Sequence, residues 1–191
     1  DYDTEDCQNQ FVLANCIKYT CSYEKANKEF EQIKTVYEST RNREILGIYL
    51  ESQTEIVNNN IWMLNIKESF SILNELKSVF EELYTNQQIV GHHLTYAFLN
   101  YYNRSMFVNY MIDKGSGFDF KKAIEYSEKL KCKEYVAFAK MDYAKCLYDQ
   151  NLDQAKELLK EAHNYFVNAN EKRRAFDAES ELCFIDDLLN K

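Results

Sequence analysis

A chain of 191 residues with 46% hydrophobic side chains can bury a sizeable core, which excludes global disorder. The absence of proline and the presence of only four glycines leave few turn formers for a sheet protein and favour long helices joined by short links. A formal charge of −8 and a pI near 5.0 exclude direct nucleic-acid binding by this segment, because its close arginine pairs, Arg41 with Arg43 and Arg173 with Arg174, sit among acidic neighbours.

Apolar residues recur at three- and four-residue spacing along almost the whole chain, the mark of amphipathic helices. In chain order the pattern predicts nine: 5–20, 23–39, 42–58, 64–85, 88–113, 119–131, 133–149, 152–168 and 171–189. Polar links such as Asn58-Asn59-Asn60 and Gly115-Ser116-Gly117 are short, so neighbouring helices should run antiparallel. No apolar run approaches the roughly 20 residues needed to cross a bilayer, so no membrane partner is expected. The expected class is all-α, an antiparallel helix-hairpin array forming one domain over 1–191. Opening at Asp1 without a methionine, the chain reads as a piece of a longer protein.

Four segments share an internal pattern of an apolar residue, a small residue three on, a further residue four on, and an apolar or small residue three after that. They are Tyr23, Ala26, Phe30, Ile33; Ile66, Ser69, Leu73, Leu76; Phe120, Ala123, Ser127, Leu130; and Leu152, Ala155, Leu159, Ala162. The stretches YDQNLDQAKELLKEA (Tyr148 to Ala162) and FDFKKAIEYSEKL (Phe118 to Leu130) carry it best, and Leu13-Ala14 adds a first-helix pair to the first segment. This pattern resembles the tetratricopeptide repeat, in which the small residue lets the two helices of a pair approach closely. The small residues fall at 26, 69, 123 and 155, so only the last interval is near the family period of about 34 and the array is degenerate. The resemblance implies a right-handed α-solenoid with an apolar final helix (Phe176, Leu182, Ile185, Leu189) as its cap.

Six cysteines occur without any C-x-x-C pair, and they read as buried free thiols suited to a reducing cytosol; Cys16 and Cys21 are the nearest pair for a disulfide. His92 and His93 are adjacent, about 100° apart on a helix, and so cannot serve one metal as an i, i+4 pair does. No phosphate loop, nucleophile cluster or metal-ligand spacing stands out, so neither catalysis nor a metal nor a cofactor is expected. The segment His92 to Met111 is unusual for its interleaved aromatics and asparagines: Tyr96, Asn100, Asn103 and Tyr110 recur near one stripe. Asparagine amides both donate and accept, so on the inner face of an array they can grip a peptide backbone without reading its sequence.

Within the resemblance, Asn15 takes a groove-facing position of the first repeat, whereas Phe11 stands where carboxylate-clamping repeats place a lysine. That departure argues against a C-terminal carboxylate clamp, and the acidic balance favours a neutral or basic ligand. The array resembles the ligand-binding halves of Gram-positive peptide-pheromone receptors and the repeat tails of signalling ATPases and transcription regulators. It implies a cytoplasmic peptide- or protein-binding sensor, with Asn15, Tyr96, Asn100, Asn103 and Tyr110 as candidate contacts. A constitutive scaffold is the competing expectation, and a homodimer is left open.

Overall fold

The computed structural model describes residues 4–20, 22–114 and 120–190. Gly115-Ser116-Gly117, Phe118 of the third repeat-like segment and Cys21 lie outside them. Among the described residues there are nine helices and no strand: α1 (Thr4–Tyr19), α2 (Tyr23–Thr40), α3 (Arg43–Trp62), α4 (Ile66–Thr85), α5 (His92–Ile112), α6 (Phe120–Lys129), α7 (Lys133–Cys146), α8 (Leu152–Asn168) and α9 (Lys172–Leu189). The chain is therefore all-α. None of these helices is long and apolar enough to cross a membrane.

With so little glycine, non-glycine residues close the helices. Arg41, Leu64, Gln87, Lys131 and Asn170 each adopt positive φ just beyond a helix, where glycine is the usual choice. Asn42 and Asn151 cap the starts of α3 and α8 by accepting from the backbone N–H of Glu44 and of Gln154, both at 3.0 Å.

Two boundaries differ most from expectation. Asn58, Asn59 and Asn60 do not form a link; they continue α3, which ends at Trp62. Asn59 and Asn60 are buried and tied to Asn27 of α2: the Asn59 amide donates to Asn27 Oδ1 at 2.7 Å, and Asn27 donates to Asn60 Oδ1 at 3.2 Å. Asn27 on another helix thus takes the Asn59 amide N–H and supplies a donor to Asn60, while the side-chain oxygens of Asn58 and Asn59 are buried without a hydrogen-bond partner among the described residues. The chain reverses instead at Leu64, with φ 61°. Helix α5 begins at His92 rather than 88, because Gly91 at φ 81° turns the chain first.

The chain divides into two compact units, Asp1–Ile112 and Asp113–Lys191. In the first, contacts run antiparallel between sequence neighbours. Phe11 meets Phe30 across α1 and α2, Tyr37 stacks on Tyr49 across α2 and α3, and Tyr84 stacks on Phe98 across α4 and α5. Alternate helices are consequently parallel: Thr4 reaches Glu44 and Lys18 reaches Glu55, so α1 and α3 run the same way. Helix α3 is the centre of this unit, packed against α1, α2, α4 and α5. Its Ile45, Ile48 and Ile56 share a core with Ala14, Ala26, Phe30 and Ile33, all buried.

The second unit repeats the scheme with α6 to α9. Phe138 meets Phe166 and Lys140 pairs with Glu161, setting α7 antiparallel to α8. Helix α9 then runs parallel to α7: Arg174 binds Glu134 while lying 4.4 Å over the Phe138 ring, and Tyr148 donates to Glu181. Its seam is rich in small side chains, with Ala137, Ala144, Ala155, Ala162 and Ala178 buried around Leu159, Phe166 and Ile185. All four small residues of the repeat-like segments, Ala26, Ser69, Ala123 and Ala155, are buried.

Candidate functional site: a polar strip across α1, α3 and α5

Helix α3 touches four other helices, so little of its middle faces solvent. Four consecutive residues, Glu51, Ser52, Gln53 and Thr54, are all buried there. Ser52 and Thr54 satisfy their hydroxyls by back-bonding to the carbonyls of Tyr49 and Glu51. Glu51 lacks that option, and a carboxylate with 8% exposure demands a donor.

That donor comes from α5. Glycine at position 47 leaves no Cβ between the two helices; a Cβ there would lie 3.1 Å from His93 Cβ and 3.4 Å from Leu94 Cγ. The close approach brings His93 Nδ1 to 2.5 Å from Glu51 Oε2. Phe11 of α1 closes over the imidazole edge-on, ring centroids 5.7 Å apart. His92 lies beside them, exposed, stacked on Tyr96 at 4.2 Å. One ligand atom from each of Glu51, His92 and His93 falls within 4.8 Å of the others. Although adjacent on the helix, the two imidazoles each bring a ring nitrogen within 4.8 Å of the Glu51 carboxylate at the first turn of α5. One helical turn further along α3, Lys18 and Glu55 form a half-buried pair at 2.7 Å. The strip thus alternates charged and aromatic groups across three helices.

The candidate contacts are dispersed. Tyr96 lies on the strip, half-buried beneath His92. Asn15 is near it, half-buried, but its amide donates back to the Phe11 carbonyl at 3.0 Å. Asn100, Asn103 and Tyr110 are buried, so the stripe read as an open groove turns inward and takes part in packing. A stripe of period near 3.6 has one inner and one outer solution, and polar side chains pointed to the outer one. Sequence reading missed Glu51 altogether. It lies 42 residues from His93, and nothing local distinguishes it from Glu55.

The thiols are free among the described residues. Cys7 and Cys146 are buried as expected, whereas Cys16 and Cys183 are exposed. Burial, and secondarily Asp142, pushes the Cys146 thiol far above its ordinary range, so it is an inert core group. Each unit also carries a cleft lined by both polar and aromatic side chains. One lies between α4 and α5 around Tyr101 and Asn109, and one of about 530 Å³ lies among α6, α7 and α8 around Lys131, Lys140 and Tyr165. Compared with known proteins, the chain matches no family model and no curated sequence.

Proposed function

We propose that the chain is a helical-repeat module that binds a peptide or a protein segment through the α1–α3–α5 side of its first unit, serving as the sensor part of a signalling or transcription regulator. The observation that carries the reading is the parallel row of α1, α3 and α5, crossed by half-buried charged groups that pair with one another. Lys18 with Glu55 and His93 with Glu51 each keep part of their surface open. Tyr96 and Phe11 add flat amphipathic area beside them. Charged pairs flanked by aromatics suit an extended segment, whose backbone and side chains can exchange with the existing pairs. The net charge of −8 favours a neutral or basic ligand. Catalysis forms no part of the reading.

Random-peptide display against the purified chain tests it. Enriched peptides should be neutral or basic and should lose most of their affinity for a Tyr96→Ala, Lys18→Ala double variant, while an exposed change on α2, Lys25→Ala, leaves binding intact. Peptides that bind both variants equally would move the site off the strip. Failure to enrich any peptide would sink the peptide reading and favour a scaffold for a folded partner.

A further inference from the structure

The geometry points to a divalent transition-metal site, best suited to Zn²⁺, formed by Glu51, His92 and His93. Two imidazoles and one carboxylate are a donor set that borderline metals take and that Ca²⁺ or Mg²⁺ do not favour. Their ligand atoms already lie within 4.8 Å of one another. In a tetrahedral zinc site with bonds of about 2.0–2.1 Å, neighbouring donors sit about 3.3 Å apart. Small side-chain rotations cover that difference, and the 2.5 Å His93–Glu51 contact needs only to open slightly.

The anchoring is unequal in a useful way. Glu51 is held in the buried middle of α3, and His93 is held by the Gly47 approach and the Phe11 ring. His92 is exposed, so the third ligand can swing in from solvent, and the fourth position stays open to water or to an incoming ligand. The histidines occupy the first turn of α5, where the helix dipole opposes a cation. The carboxylate of Glu51 is what offsets that field, so it is as necessary as either imidazole. The site uses residues of the proposed binding strip but is tested with metal alone, so it stands or falls independently of any peptide.

The experiment is a calorimetric titration of the tag-free, metal-stripped chain with Zn²⁺, in a Cys16→Ser, Cys183→Ser background that removes the two exposed thiols among the described residues. One equivalent should bind and raise the melting temperature. Glu51→Gln, His92→Ala and His93→Ala should each weaken binding at least tenfold, whereas His163→Ala should not. The Co²⁺-loaded protein should show d–d absorption without a thiolate-to-metal charge-transfer band. His92→Ala is the decisive variant, since an exposed side chain can be removed without loosening the fold. One-to-one binding that survives His92→Ala and His93→Ala, a thiolate band, or no saturable binding would overturn the assignment.

Discussion

Replacing Ala155 by leucine probes the second unit at its tightest point. Ala155 has no exposed surface and lies in the seam with Ala137, Ala144, Ala162 and Ala178, where α7, α8 and α9 close on one another. Leucine adds three carbons to a position whose neighbours Leu159 and Phe166 are themselves fully buried, leaving them nowhere to retreat. Overpacking of that kind costs about 1–3 kcal/mol. For a chain of this length each kcal/mol moves the melting temperature by roughly 2–4 °C, so the expected drop is about 2–12 °C. Circular dichroism at the helical minimum measures it, with Glu157→Leu on the exposed side of the same helix as control. The control exchanges a weak surface ion pair with Lys160 for a residue of similar helix propensity and should shift Tm by little. If Ala155→Leu melts with the control, α8 does not approach its partner through this residue, and the hairpin packing of the second unit is wrong at its best-defined point.

Three further outcomes follow from the same physics. Leu64→Gly should raise Tm slightly in thermal melts: leucine at φ 61° pays roughly 1–2 kcal/mol of left-handed strain, and glycine removes it at a backbone-entropy cost of about 0.5–1 kcal/mol. Asn27→Ala should destabilise by about 1–3 kcal/mol in urea unfolding, since it strips the buried Asn59 and Asn60 amides of their partner, and a neutral result would mean that water replaces it. Alkaline pH should destabilise the fold. Burial raises Cys146, Tyr49 and Tyr101, so the folded state holds protons that the unfolded chain releases, and stability present below about pH 8.5 for the thiol and about pH 10 for the phenols is lost as pH rises. A Tm-versus-pH series should bend downward there, and Cys146→Ala should flatten its first part.

The helices were legible because their causes are local. Apolar spacing placed all nine within a few residues, and the small residues at 26, 69, 123 and 155 pointed correctly to buried positions. Errors arose where a distant partner decided the matter. Asn58 to Asn60 carry every local sign of a link, and the bonds that hold Asn59 and Asn60 in helix come from the Asn27 amide on α2. The Asn100 and Asn103 stripe gave no sign of which way it faces, because side-chain polarity argues for solvent and only the packing around α5 reverses that. Glu51 became visible only once α3 and α5 were side by side, and the residue that permits their approach, Gly47, is one of just four glycines in the chain.

The polarity of α3 bears most directly on function. A helix enclosed by four others needs no charge, and an apolar residue of similar volume at position 51 would avoid the desolvation of a carboxylate. Gln53 sharpens the point, since its buried Nε2 makes no hydrogen bond among the described residues. Stability alone gives no reason to bury Glu51 and Gln53 in one helix. A ligand or metal that engages this helix does give a reason, because groups costly in the free chain then contribute to binding. Replacing Glu51 by leucine separates the two accounts: it should leave Tm unchanged or raised while abolishing Zn²⁺ binding. A large loss of stability would instead make the carboxylate a structural partner of His93.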